Sequence, residues 1–169
     1  IAMEVASVTF MMHVGLSSAA TIRTARFVGS GEARDLRDGA IVALALSLIV
    51  ALFVITLYLA VPEAVIALFL DMTKPESAKI VALGATLLAV AALFHLADAM
   101  QVMALGLLRG LHDTRVPLVL AVVSYWLVGI PCSYVLAFPM GFGAVGLGLG
   151  RVVGLVYAAT SLLLRFWRL

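Results

Sequence analysis

Asp98 is the residue of this sequence most in need of a chemical reason. It lies within the apolar run 80–108, 11 residues before Arg109. At 1.5 Å per residue that is about 16 Å in from the basic end of a helix. A charge at the centre of a bilayer costs at least ~2.5–3.5 kcal/mol on insertion scales, and it usually faces protein or a wet cavity. A carboxylate there can bind a metal cation or a proton, and exchange between such ligands is what a coupled antiporter requires. The alternative is a buried Asp hydrogen-bonded for structure alone. His95 and Gln101 stand three residues to either side, on overlapping parts of one helix face, and could line the same cavity. A lone His among apolar neighbours is more often packing than a ligand. His95 and Asp98 together do not make a metal site, because zinc needs at least three protein ligands.

Other polar residues carry less. Glu4, at the outer end of the first apolar run, is either solvated at the interface or deep enough to contact substrate. His13 sits mid-run and is expected to make structural hydrogen bonds. Arg151, seven residues into the last run, either snorkels outward or pairs with Glu4 or a residue outside this sequence. Gly146, Gly148, Gly150 and Gly154 suggest close helix packing, internal rather than between copies. No catalytic constellation is present. His112-Asp113 reads as a turn, and Gly29-Ser-Gly31 lacks the Gly-Lys-Ser/Thr and the preceding strand of a phosphate loop. The single Cys132 excludes a disulfide framework or cysteine metal site within these residues.

The elements that position these residues are transmembrane helices. Of 169 residues, 64% are hydrophobic and 12% charged, with a mean hydropathy of +1.20. Soluble domains carry about 25% charged residues, and a small soluble domain must cover itself with polar groups. Five apolar segments are long enough to span a bilayer: 1–22 (uncharged from Val5 on), 39–61, 80–108, 116–138 and 144–164. They are continuous rather than alternating, which favours helices over a barrel, so the expected class is an all-α integral membrane protein. Arg23, Arg26, Arg34, Arg37, Arg109, Arg115, Arg165 and Arg168 fall on one side, against Lys74 and Lys79 on the other. That positive-inside asymmetry makes the arginine side, and the C-terminus, cytoplasmic. Trp167 fits an interfacial anchor. The connector holds an apolar stretch too short to span, read as an interfacial helix over about 62–74 that stops near Pro75. The net charge of +2, in short clusters between apolar runs, does not suggest nucleic acid. The chain opens with Ile1 inside an apolar segment and without a basic leader, so a fragment is expected.

The motifs then add up to a resemblance. Gly15-Leu-Ser-Ser-Ala-Ala-Thr-Ile-Arg23 followed by Gly29 resembles the end of the eighth helix of MATE multidrug exporters. Asp98-Ala-Met-Gln-Val102, Leu108-Arg-Gly110 and Asp113-Thr-Arg-Val-Pro117 resemble the tenth helix and its cytoplasmic loop. Ser124-Tyr-Trp126, Gly129-Ile-Pro131 and Tyr134 are similar to the eleventh. The likeness covers nearly the whole chain and is nearest to the NorM-type branch. It implies that residues 1–169 are helices eight to twelve of twelve, most of one six-helix bundle. That bundle would face an N-terminal bundle of the same chain across a central cleft. It further implies export of cationic, amphipathic drugs in exchange for sodium ions or protons, with Asp98 matching the family's cation-binding aspartate and no other cofactor. The family's seventh helix usually supplies another carboxylate, so this stretch alone should not transport. The sequence departs from the family at Glu4, Ala25, Gly148 and Arg151, which bears on drug preference. A monomeric transporter in the bacterial inner membrane is the expected whole. The rivals are a lipid-linked substrate flippase of the same superfamily, which would want several deep cations, a membrane enzyme, and a non-transporting scaffold.

Overall fold

The computed structural model describes residues 2–31, 33–67 and 77–169, with side chains at 7–31, 34–64, 66, 84–86 and 88–169. The described residues form helices and turns, with no strand among them. Helix α1 covers Ala2–Ser30, α2 Ala33–Ala60, α3 Pro62–Ala67 and α4 Ser77–Gly110. An α-helix α5 (Arg115–Val122), a π-helical segment (Val123–Gly129) and an α-helix α6 (Ile130–Ala137) form one continuous rod after it. Helix α7 runs over Gly143–Arg168. In lipid every backbone N–H and C=O must be satisfied within the segment, so long apolar runs become helices. At 1.5 Å per residue the 34 residues of α4 reach about 51 Å, beyond the ~30 Å hydrocarbon core. The helices therefore run past the apolar segments into their arginine ends.

Among the described residues, four helical stretches are long and apolar enough to cross a membrane: Arg34–Ala60, Gly84–Gly110, Arg115–Ala137 and Gly143–Arg168. Helix α1 has 29 residues. It carries Thr9, His13, Ser17, Ser18 and Thr21, of which His13 and Ser17 are buried against the bundle.

The centre of the fold is α4, of whose membrane-crossing stretch 53% is buried, against 11% for Arg115–Ala137. Helices α1, α2 and α7 pack around it, and the α5–α6 rod lies on α7. One apolar cluster joins Met103, Ala104, Leu107 and Leu108 of α4 to Ala20, Ala40, Leu162 and Phe166. A second joins Val54, Tyr58, Ile66, Leu88 and Ala92. Ile66 ties α3 to the bundle. Of the stretch 62–74 expected to be an interfacial helix, Pro62–Ala67 is helical, while residues 68–76, Pro75 included, lie outside the described residues.

Small residues allow two seams to close. On the first, a side chain at Gly110 would meet Thr24 Cβ at 2.5 Å and one at Gly106 would collide with Ser17. Ser17 Oγ donates to the Val102 carbonyl at 2.7 Å, and Thr21 Oγ1 lies 2.8 Å from the Gly106 carbonyl. On the second seam, Gly146, Gly150 and Gly154 of α7 meet the backbone of Leu136, Ser133 and Gly129. The glycine ladder packs inside the bundle, as expected.

At one end, Arg165 Nε donates to Asp113 Oδ2 at 3.0 Å and Arg37 stacks 5.3 Å over Trp167. Those contacts, from α2, α7 and the loop after α4, gather the arginine-bearing ends together. A cavity of about 590 Å³ opens there, lined by Arg37, His112, Asp113, Arg165 and Trp167 among others. His112 has φ 62°, a left-handed turn position, and Asp113 is held by Arg165, so this pair forms a loop. Gly31, at φ 75°, ends α1 as helix-terminating glycines do.

Candidate cation-binding site

Asp98, His95 and Gln101 are all buried. Three residues advance a helix by 300°, so each sits about 60° from the next, and His95 parts company with the other two. Asp98 is 7% exposed. Among the described residues its carboxylate accepts no hydrogen bond and makes no ion pair. The charge of Arg151, on α7, bears on it. Arg151 is exposed and its guanidinium stacks 5.1 Å over Phe94, one turn before Asp98. This arginine is therefore a wall residue beside Asp98. Glu4, its other suggested partner, has its side chain outside the described residues.

Gln101 turns toward the rod. Tyr125 donates its hydroxyl proton to Gln101 Oε1 at 2.7 Å. Tyr125 stands in the π-helical segment, which precedes Pro131. Proline has no N–H and its ring crowds the carbonyl four residues back. The backbone before it widens, and Ile130 N–H reaches the Tyr125 carbonyl, five residues back. Each wide turn rotates the residues beyond it, and π-bulges often mark functional positions. Asp98, Gln101, Tyr125 and Arg151 thus share one region where α4, α7 and the π segment meet. It offers a carboxylate, an amide, a phenol oxygen and a guanidinium. Oxygen ligands of this kind suit a hard cation, and the carboxylate suits a proton equally. Among the described residues no group of three or more His, Cys, Asp or Glu gathers as a metal cluster.

His95 faces the other way. Its Nε2 lies 3.1 Å from His13 Nε2, and its Nδ1 lies 3.5 Å from Thr9 Oγ1. His13 Nδ1 is 3.0 Å from Ser47 Oγ, and Thr9 Oγ1 is 3.0 Å from the Tyr58 hydroxyl. His13 makes the structural bonds expected of it, with a histidine as one partner. The sequence marks Tyr125 only within a family motif, and it does not mark Tyr58, Thr9 or Ser47. The signal available was a polar group in an uncharged span, at helical spacing, and it names no partner.

The MatE family's sequence profile matches residues 1–135. The chain belongs to the MatE family. Curated relatives agree along its whole length. The chain is 40% identical over 169 residues to a probable multidrug resistance protein NorM of Rhizobium meliloti, covering 100% of this chain and 36% of that protein. It is 42% identical over 166 residues to one of Agrobacterium fabrum, with 98% and 36% covered. A multidrug resistance protein NorM of Burkholderia vietnamiensis is 41% identical over 167 residues, with 98% and 36% covered. This MatE chain thus spans about a third of the length of these relatives. The fold matches the crystal structure of the eukaryotic MATE transporter AtDTX14 with a TM-score of 0.86 at 22% identity, over 97% of this chain and 36% of that one. The all-α membrane fold and the NorM-like resemblance both stand, and the chain is part of a multi-pass membrane protein of a transporter family.

Proposed function

We propose that this chain is the C-terminal bundle, helices eight to twelve, of a multidrug antiporter that exchanges cationic amphipathic drugs for a sodium ion or proton bound at Asp98. The observation that carries it is the nearly buried Asp98 carboxylate, which accepts no hydrogen bond from the described residues and so keeps its oxygens for a ligand. Burying an unpaired carboxylate for structure alone would be costly, and the NorM names of the relatives point the same way. Gln101 and Tyr125 line the site beside it. His95 backs it from the α1 side, and Glu4 stands near the outer mouth. Helix α1 crosses as the fifth span, with its polar residues turned inward. The arginine-rich end is cytoplasmic, and the membrane is the bacterial inner membrane. The working unit is a monomer that includes the N-terminal bundle.

Coupling requires the site to hold cation and drug with different affinity in its two access states. Asp98→Asn in the full-length protein is expected to abolish coupled ethidium efflux from cells at matched expression. Efflux at the unsubstituted rate would overturn the assignment. The flippase reading wants several cationic side chains at depth, and among the described residues Arg151 alone stands there.

A further inference from the structure

The histidine pair is not explained by the cation site. His13 (α1) and His95 (α4) meet Nε2 to Nε2 at 3.1 Å, rings tilted by 59° with centroids 4.8 Å apart. Both are buried. Two nitrogens that close must have a proton between them, donated by one ring and accepted by the other. The outer nitrogens are met by hydroxyls: Ser47 Oγ on His13 Nδ1 and Thr9 Oγ1 on His95 Nδ1, with the Tyr58 hydroxyl next to Thr9. A backbone carbonyl or carboxylate there would fix Nδ1 as a donor. A hydroxyl can give or take a hydrogen bond, so it fixes neither tautomer.

Those contacts set the proton count. In the neutral pair one proton lies on the Nε2–Nε2 line and the other on one of the two Nδ1 atoms. One added proton fills the remaining Nδ1, and both outer nitrogens then donate to hydroxyl oxygens. No heavy atom has to move. A second added proton would set two N–H groups against each other at 3.1 Å, which the packed helices forbid.

We propose that His13 and His95 form a single proton-binding site, separate from Asp98, that accepts one proton shared by the two rings and excludes a second. Four helices set its surroundings. Helix α1 presents Thr9 beside His13, and α2 presents Ser47 and Tyr58. Asp98 lies one turn on along α4, and Arg151 of α7 stands over Phe94 and bears on Asp98. The chain Tyr58–Thr9–His95–His13–Ser47 links three helices that packing alone would hold less specifically. Its protonation state is read on the α1–α4 contact.

The test uses the full-length protein carrying Asp98→Asn, so that loss of the cation site cannot be mistaken for loss of this one. Proton uptake is measured between about pH 8 and about pH 3, a window wide enough for buried histidines. The expected uptake, relative to a His13→Asn/His95→Asn double variant, is one proton for the native pair and one for each single variant. Two protons for the native pair would show independent histidines, and none would show a fixed structural contact; either overturns the proposal. Should the variants fail to fold, ¹⁵N-histidine spectra of the Asp98→Asn protein decide. The expected signature is a nitrogen–nitrogen coupling across the shared hydrogen bond that persists as both rings titrate together. Absence of that coupling, or two separate titrations, overturns the proposal.

Discussion

Replacing Gly150 by Ala tests the helix seam on which the wall of the site depends. A methyl at Gly150 would collide with N, Cα and Oγ of Ser133. Two of those atoms are backbone, so no rotamer change relieves the clash and α7 must move off α6. Overpacking costs about 1–3 kcal/mol, and a backbone collision belongs near the top of that range. Ala is the better helix former by about 1 kcal/mol, which leaves a net loss of about 2 kcal/mol. At about 2.1 cal/mol/K per residue, and with this stretch 36% of its relatives' length, the melting temperature of the full-length protein should fall by about 2 °C. Two other glycines calibrate the measurement. At Gly148 the methyl meets Val90 Cγ1 at 2.7 Å, a side-chain rather than a backbone contact, and at Gly15 nothing lies within 4 Å. Gly148→Ala should cost less than Gly150→Ala, and Gly15→Ala should be neutral to stabilising. Thermal melting of the purified full-length protein in one detergent would rank the three. If Gly150→Ala melts with Gly15→Ala, the close approach of α6 and α7 is wrong.

Other substitutions probe single contacts. Tyr125→Phe removes the 2.7 Å bond to Gln101 and should cost about 0.5–1.5 kcal/mol, read as a lower melting temperature. Drug affinity should also change, because the freed amide lies in the wall of the proposed cation site. Thr21→Val strips the hydroxyl that lies 2.8 Å from the Gly106 carbonyl and should cost about 1 kcal/mol without altering coupling, measured by melting and efflux together. Asp113→Asn breaks the contact to Arg165, whose side chain is 37% exposed. Its cost should be at most about 1 kcal/mol and should shrink in high salt; a large, salt-independent loss would show that the loop is doing more than bridging α4 to α7.

The sequence spoke clearly wherever one helix was enough. Long apolar runs, charge-free apart from Asp98 and Arg151, marked α2, α4, α7 and the α5–α6 rod, and the arginine spacing gathered their ends at one side. The polarity of α4 was legible too, because Asp98 stands out against its neighbours without reference to any other residue. Partnerships were not legible. His13 and His95 are 82 residues apart and Tyr125 and Gln101 24 apart, and nothing in one segment encodes the rotation of another. The grouping of His95 with Asp98 and Gln101 came from spacing alone. Successive steps of about 60° place His95 against α1 and Gln101 against the π segment, so one apparent face became two neighbourhoods. The π-helical segment itself depends on how the backbone accommodates Pro131, a choice that periodicity does not register. Arg151 looked stranded in sequence; the aromatic face of Phe94 and the field of Asp98 explain its place.

The proposed exchange of a coupling cation for drug rests on Asp98. Full-length protein in proteoliposomes loaded with a cationic fluorescent drug would test it, with sodium and proton gradients imposed separately. One of the two gradients should drive drug movement against the cation flow, and Asp98→Asn should retain drug binding but lose the response to that gradient. Gradient-driven transport by Asp98→Asn at the unsubstituted rate would contradict it.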